Sequence, residues 1–311
     1  MTNSTTVDER MECLRERLSC LIPAFLTSIS YASPPKAEKK VLRGAVLERG
    51  RQDGVHLGLD DASLMRFEAG LAVAADMYPL HPPEIQIHIG LFTWFGFIID
   101  DQNVEFGPDL ELFQSRFHSG EQQPSALLKS FASVLRSTIK YYDPVIANLI
   151  VLSALAFVNS NAIEVRPQYQ KIALTPDTVN WPYYFRDKEG LPEVYTYFCF
   201  YRDMCPDISC FLPAAPEMGK FINLTNDILS FYKEEKAGED RNYIHKQALV
   251  LNCSPMAILE AAIIESVASH RRSQAILEAW PVYGQIWHAY VMGYVAMHLN
   301  TRRYHLSELA I

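Results

Sequence analysis

The chain has 311 residues, of which 49% are hydrophobic and 21% charged, and its formal net charge is −8. Such a chain can bury a sizeable core, and no Ser/Gly-rich linker, internal repeat or low-complexity tract divides it, so we expect one domain over residues 1–311. The negative charge argues against nucleic acid or an anionic membrane as a partner, and an anionic substrate would need locally placed cations.

The cysteines and the N-terminus indicate a cytoplasmic protein. The six cysteines include no C-x-x-C pair, and their spacing suits neither a zinc site nor a small disulfide scaffold. We expect reduced, mostly buried thiols. The polar, acidic N-terminus does not resemble a secretory signal. The longest mostly apolar run, Ala147–Val158, is too short to span a bilayer, so we expect no membrane insertion.

Hydrophobic periodicity predicts helices along the first half of the chain, and no alternating pattern predicts a strand. The expected helices are residues 8–31, 60–78, 85–101, 124–142 and 143–163. Pro23 is expected to kink or stop the first of them, and Pro108 to open a short segment. Asp61 or Ser63 could cap the helix at 60–78.

The second half begins with an irregular connection over residues 166–182. Shorter helical pieces are expected at 183–189, 192–205 and 207–215, because glycine and proline interrupt the pattern there. Pro216 opens a long helix that carries residues 226–234, and two more long helices follow at 254–279 and 282–304. The sequence therefore predicts an all-α protein of about ten helices.

Two adjacent carboxylates, Asp100 and Asp101, end the apolar helix predicted at residues 85–101. The two carboxylates repel each other, and the C-terminal end of a helix carries partial negative charge, so both interactions disfavour ionised side chains at this position. A bound cation would offset these costs. Alternatively, both side chains point into solvent where the helix frays. Phe97 is one turn earlier, which places an aromatic ring beneath the carboxylates.

The second candidate motif is residues 226–234, with the sequence N-D-I-L-S-F-Y-K-E. Asn226, Ser230 and Glu234 recur at every fourth position, so an α-helix places them on one face. Amide, hydroxyl and carboxylate oxygens are ligands that Mg²⁺ accepts. Because the flanking residues are apolar, this helix should be buried, and a metal ion would give its polar groups a partner. The alternative is a polar stripe on an amphipathic surface helix.

Together, the two motifs resemble those of class I terpene cyclases, and the second most resembles the fungal sesquiterpene cyclases of the trichodiene synthase type. The resemblance spans roughly residues 60–305 and is carried by both motifs in this order. It implies an all-α bundle around a deep apolar cavity. It also implies a carbon–oxygen lyase that ionises farnesyl diphosphate and cyclises the carbocation to a sesquiterpene hydrocarbon or alcohol, releasing diphosphate.

The resemblance also implies roles for individual residues. Three Mg²⁺ ions would be bound by two groups of ligands: Asp100 with Asp101, and Asn226 with Ser230 and Glu234. The groups that bind the diphosphate and neutralise its charge would be Arg186, Lys233, Arg303 and Tyr304. Glu189 and Gly190 would be the linker and the effector at a helix break. Loops at Asp101–Pro108 and Gly238–Tyr243 would become ordered when the diphosphate and the metal bind.

A carbocation must be kept from water, which calls for apolar and aromatic cavity walls. Phe97 and Trp94 are the first candidates to contact the substrate. Other aromatic candidates are Phe92, Tyr78, Phe185, Trp287, Tyr290 and Tyr294. On the last long helix, the residues that share the face of Arg303 are Met292, Ala296 and Leu299. The alternative for each residue is ordinary core packing.

One departure from the family pattern keeps other functions open. The first motif usually has another acid at its fifth position, where this chain has Val104, and Glu105 follows one residue later. A catalytically silent helical protein that binds an apolar ligand or a partner is therefore one alternative. A chain-elongating prenyltransferase is another, although it would carry two aspartate-rich motifs. The resemblance leaves a homodimer open.

Overall fold

The computed structural model describes the backbone of residues 2–309 and 311, and the side chains of these residues except 2–8. Within this part of the chain there are thirteen α-helices and no strand, which confirms the all-α prediction. The helices are α1 (Thr2–Ser28), α2 (Lys40–Gln52), α3 (Asp61–Ala72), α4 (Pro83–Asp101), α5 (Asn103–Ser119), α6 (Ala126–Ser137), α7 (Pro144–Glu164), α8 (Trp181–Glu189), α9 (Pro192–Phe198), α10 (Ala215–Ala237), α11 (Tyr243–Leu251), α12 (Pro255–Leu277) and α13 (Pro281–Asn300).

Two prolines lie inside helices, although the sequence predicted that Pro23 would kink or stop its helix and that Pro108 would open a short segment. Pro23 lies inside α1, and Pro108 lies inside α5. Each costs its helix one backbone hydrogen bond, because proline has no N–H. The segment Asp101–Pro108, predicted to be a loop, is helical except at Gln102, which separates α4 from α5. Glu105 lies on the exposed side of α5, and Val104 is 78% exposed.

The sequence prediction also missed α2 and α11. Two glycines and many charged residues interrupt the apolar pattern of α2. Gly50 faces Trp94 of α4, and a Cβ there would lie 2.6 Å from the indole ring, so the glycine is set by packing between helices. The first turn of α3 is capped by Asp60, which accepts a hydrogen bond from the Ser63 N–H at 2.8 Å, rather than by Asp61 or Ser63.

A π-helical turn, Val73–Met77, continues α3 and faces α13. Gly293 of α13 lies directly against this turn, and a Cβ at that position would overlap the carbonyl group of Asp76. The two backbones therefore touch because residue 293 has no side chain. Val73 and Met77 of the same turn line the main cavity, so this contact fixes part of the cavity wall.

The helix α7 is long and apolar enough to cross a membrane, with a mean hydropathy of 1.7, although its apolar run was judged too short from the sequence. Its apolar stretch is 61% buried inside the protein. It packs against α5, α8 and α9, which is the environment of a core helix.

The helix α10 is the centre of the bundle. It packs against α9, α12 and α13, and most of its residues between Met218 and Tyr232 are buried. All six cysteines are free thiols; the sequence predicted mostly buried ones, but only three are buried and three are exposed. The buried apolar side chains form one contiguous cluster that extends from α1 to the last turn after α13.

Candidate active site

A cavity of about 580 Å³ lies between α4, α7, α8, α9, α10 and α13. One buried part of its lining is apolar and includes Val73, Met77 and Ile222. Its more exposed lining is polar and includes Asp100 and the segment Gly238–Asn242 that precedes α11. A cavity with an apolar interior and a polar mouth suits a ligand with a hydrocarbon part and an ionic part.

The second motif lies on one face of α10, as predicted. The Ser230 hydroxyl donates a hydrogen bond to Glu234 Oε1 at 2.6 Å, and Glu234 Oε2 accepts one from Asn242 Nδ2 at 2.7 Å. Asn226 Oδ1 accepts a hydrogen bond from Arg186 Nη2 at 3.0 Å. Asn226 and Glu234 line the cavity, whereas Ser230 is buried beside Glu234. These bonds hold the three oxygen-bearing groups in place.

Arg186 is buried at the cavity wall, near the end of α8. Its Nε donates to Asp227 Oδ1 at 2.7 Å, a charge-assisted bond across to α10. Burial alone would lower the pKa of Arg186, but the ion pair with Asp227 raises it above the usual value. Burial raises the pKa of Asp227 to about 6, although Arg186 opposes the shift. The arginine is therefore a permanent cation in the wall.

The predicted helix break at Gly190 is present. The helix α8 ends at Glu189, α9 begins at Pro192, and Leu191 between them has a left-handed φ of 53°. A Cβ on Gly190 would overlap both the Arg186 guanidinium and the Asn223 amide. Glycine is thus required here by the close approach of the backbone to Arg186, and the left-handed residue is Leu191.

The two carboxylates of the first motif point to different surroundings. Asp100 lines the cavity, where burial and then Asp101 raise its pKa to about 6. Asp101 is outside the cavity lining and accepts from Arg303 at 3.1 and 3.4 Å, and it lies 3.5 Å from Arg66 Nη1. The Arg303 guanidinium lies 5.3 Å from the ring centre of Phe97, which lines the cavity. Of the two carboxylates, Asp100 is the one that lines the cavity.

Glu164 and Glu189 also line the cavity, and the sequence did not indicate the first of them as a site residue. Burial, followed by the neighbouring Glu189, raises the pKa of Glu164 well above its usual value, so this carboxyl group is held in an unfavourable environment for its charge. Glu164 ends the apolar helix α7 as Asp100 and Asp101 end α4. The argument applied to those aspartates would have found it.

The residues after α13 complete the cationic side of the site. The helix ends at Asn300, and Arg303 and Tyr304 follow in a short 3₁₀ turn rather than on the helix itself. Tyr304 is buried and lines the cavity. Lys233 of α10 has no ion-pair partner within 4.0 Å among the residues that the structure describes. Its positive charge acts to lower the pKa of Asp100, against the larger effect of burial.

Several predicted wall residues lie elsewhere. Trp94, predicted to contact the substrate, packs against Gly50 and Gly70 and lines a second cavity of about 290 Å³ that also contains Arg66, not the main one. The other aromatic candidates that pack in the core without lining the main cavity are Phe92, Tyr78, Phe185, Trp287 and Tyr290. Phe97 and Tyr294 do line it.

The predicted face of α13 is also wrong. Met292, Ala296 and Leu299 do not line the cavity; the residues of α13 that do are Tyr294, Met297 and His298. The prediction extended the helix phase backwards from Arg303. Thr301, however, has an extended ψ of 130° and ends the helix before Arg303, so the extrapolated phase does not apply.

The donor atoms around the cavity fit Mg²⁺. Within the part of the chain that the structure describes, no three His, Cys, Asp or Glu side chains stand close enough to hold a metal by themselves. The α10 motif instead offers amide, hydroxyl and carboxylate oxygens, which are hard ligands. In addition, the buried Asp227 Oδ2 has no hydrogen-bond partner, and three carboxyl groups (Asp100, Glu164 and Glu189) crowd the facing wall. A bound cation would give the Asp227 oxygen a partner and would offset the repulsion among the three carboxyl groups.

Comparison with known proteins identifies the family. The sequence model of the family described as trichodiene synthase (TRI5) matches residues 65–310. Terpene synthase BipA of Cochliobolus sativus is 37% identical over 302 residues, which cover 96% of this chain and 92% of BipA. Longiborneol synthase CLM1 of Gibberella zeae is 31% identical over 302 residues, covering 96% and 89%.

The fold is also found in a solved terpene synthase structure. The linalool/nerolidol synthase of Streptomyces clavuligerus superimposes with a TM-score of 0.65 at 12% identity, over 86% of this chain and 99% of that one. The chain therefore belongs to the trichodiene synthase family and is a terpene cyclase with the class I terpene synthase fold.

Proposed function

We propose that the protein is a cytosolic, Mg²⁺-dependent sesquiterpene cyclase that ionises farnesyl diphosphate and cyclises the carbocation to a hydrocarbon or an alcohol. The observation that carries this proposal is one cavity in which a buried apolar lining adjoins Asp100 on α4, and Asn226 and Glu234 on α10. The hydrocarbon chain fits the apolar part, and the oxygen ligands suit the metal that a diphosphate requires. A volume of about 580 Å³ suits a ligand of this size.

The protein's own groups bind and orient the leaving group. Arg186 and Tyr304 line the cavity, and Arg303 lies beside the lining residue Phe97; all three would donate hydrogen bonds to the diphosphate oxygens, and Lys233 adds a positive charge nearby. Bound Mg²⁺, three ions as the family resemblance implies, would neutralise the charge that develops on the departing diphosphate. Arg186 and Arg303 already occupy ion pairs with Asp227 and Asp101, so each must share or exchange its partner when the anion arrives.

The interior protects the cation. The aromatic residues that line the cavity are Phe97, Phe157, Tyr195 and Tyr294. The face of an aromatic ring stabilises a cation electrostatically, without the nucleophilic oxygen of a carboxylate that could react with it. Tyr195 and Tyr294 keep their protons, because burial raises the pKa of both hydroxyls. The apolar lining around them excludes water until the cyclisation ends.

The direct test is to incubate the purified protein with geranyl, farnesyl and geranylgeranyl diphosphate, with and without Mg²⁺, and to analyse the extracts. Cyclic hydrocarbons or alcohols from farnesyl diphosphate support the proposal. Longer prenyl diphosphates would identify a chain-elongating prenyltransferase. An absence of diphosphate release from all three substrates would identify a catalytically silent binding protein.

We expect diphosphate and Mg²⁺ together to raise the melting temperature by several degrees, and either alone to do little. Charge-assisted bonds from Arg186 and Arg303 form only when the anion is held among them, and each kcal/mol corresponds to about 2–4 °C at roughly this chain size. Hydrogen exchange should slow in the segment Gly238–Asn242, which lines the cavity and is exposed. Equal stabilisation by diphosphate without metal would contradict the metal-dependent scheme.

We also expect Glu164→Gln to lower turnover about 10-fold or more, the range found when groups that support a metal site are removed. Glu164 lines the same cavity as Asp100 and supplies an acidic group there. Val104, which stands where the family usually has an acid, is apolar and exposed and cannot do so. The neutral glutamine keeps the size of the side chain, so the helical circular dichroism should not change. Turnover within 2-fold of the parent would show that Glu164 only packs in the wall.

A further inference from the structure

His298 is a buried residue of the cavity wall for which the scheme above gives no task. It lies in the last turn of α13 and is 0% exposed. Its ring packs edge-on against Tyr294, with the ring centres 4.6 Å apart, and at a tilt of 37° against Tyr304, with the ring centres 4.3 Å apart. One ring nitrogen faces Asn226, the first residue of the metal-binding motif.

The hydrogen bonds around this pair determine which atoms donate. His298 Nδ1 lies 2.8 Å from the carbonyl oxygen of Tyr294, which can only accept, so Nδ1 carries the hydrogen. At the other end, Arg186 can only donate, so the Asn226 atom 3.0 Å from it is Oδ1. Asn226 Nδ2 therefore faces His298 Nε2 at 3.1 Å and donates to it. The chain of donors is consistent from end to end, with the imidazole neutral.

This arrangement matters because the two ends of an amide are opposite in character. The oxygen can bind a cation, whereas the NH₂ group would repel one. The hydrogen bonds to Arg186 and His298 both favour the orientation in which Oδ1 faces Arg186 and Nδ2 faces His298. When a diphosphate draws Arg186 away, the bond to His298 is the contact that still defines the orientation, and it uses the nitrogen, which the metal does not need.

We propose that His298 is a positioning residue that holds the Asn226 amide with its oxygen turned towards the metal. The proposal rests on the proposed function, since it assumes that Asn226 binds Mg²⁺. It adds that the acceptor nitrogen of His298 sets how readily the metal binds. Groups that orient a metal ligand in this way typically change metal affinity by about 10–100-fold when removed.

The test compares His298→Phe, which keeps a ring between Tyr294 and Tyr304 but has no acceptor, with His298→Gln, which keeps an acceptor oxygen. The readout is the Mg²⁺ concentration that gives half of the melting-temperature rise in the presence of diphosphate, with no substrate present. We expect this concentration to increase about 10-fold or more in His298→Phe and to stay within about 3-fold of the parent in His298→Gln. The Mg²⁺ requirement for turnover should follow the same order, while KM at saturating Mg²⁺ changes less.

A second pair of variants keeps the test independent of packing. Asn226→Asp replaces the amide with a carboxylate whose two oxygens are equivalent, so no orientation needs to be held. In that background His298→Leu should change the Mg²⁺ requirement much less than it does in the parent. Equal effects of His298→Leu in both backgrounds, or equal defects in His298→Phe and His298→Gln, would overturn the inference while leaving the proposed function intact. No Mg²⁺-dependent stabilisation of the parent protein by diphosphate would overturn both.

Discussion

Replacing Glu234 with glutamine, or Asn226 with alanine, is expected to reduce turnover by about 100-fold or more, the loss typical of removing a group that stabilises charge in the transition state. Both side chains line the cavity on the same face of α10. Each change removes an oxygen ligand or its charge but leaves the buried apolar face of the helix unchanged. The helical circular dichroism should therefore stay as in the parent, and product formation from farnesyl diphosphate measures the loss.

Glu278→Gln is the matched control for Glu234→Gln. It makes the same chemical change at an exposed position after α12, outside the cavity. Its turnover and melting temperature should stay close to those of the parent. Near-normal activity in Glu234→Gln or in Asn226→Ala would mean that the α10 motif does not bind the metal, and the assignment would have to be abandoned.

The second large effect is expected at Asp100. Asp100→Ala should be nearly inactive, again about 100-fold or more below the parent, because this carboxylate is the only acid of the first motif that lines the cavity among the described residues. Glu105→Ala should change turnover by less than about 2-fold, since an exposed surface substitution rarely affects a distant site. The same assay, at saturating and at limiting Mg²⁺, measures both variants.

Asp101→Asn is an informative companion to these two variants. Its carboxylate pairs with Arg303 and Arg66 rather than facing the cavity, so its loss should change how Arg303 is held. We expect an intermediate defect with a larger effect on KM for the diphosphate substrate. Comparable losses in Asp100→Ala and Glu105→Ala would instead show that Glu105 replaces the acid missing at Val104 and that the junction of α4 and α5 rearranges.

The parts of the site that were predictable from the sequence depend on local geometry. Asn226, Ser230 and Glu234 share a face because of the helical repeat alone, and Gly190 with Pro192 marks a break that no helix could continue through. These features need no knowledge of neighbouring helices. The structure accordingly shows both, and the family and the all-α fold were also predicted correctly.

The parts that were missed depend on packing between helices. Trp94 is aromatic and close to Asp100 in sequence, but its ring packs against Gly50 and its main chain against Gly70, so it lines the second cavity instead. His298 is an ordinary histidine in the sequence, and its contact with Asn226 exists only because α13 lies against α10. A single sequence shows the period of a helix but not which neighbour each face will meet.

The contact between Gly293 and the turn at Asp76 bears on how cyclases of this shape could diversify. Because the two backbones are in direct contact, the main chain in that section of the wall cannot shift to change the shape of the cavity for a new product. Variation there is left to side chains alone, and Val73 and Met77 are the ones that this turn offers to the cavity. Exchanging a few methyl groups at these two positions would remould the space around a folding carbocation while the rest of the architecture stays the same.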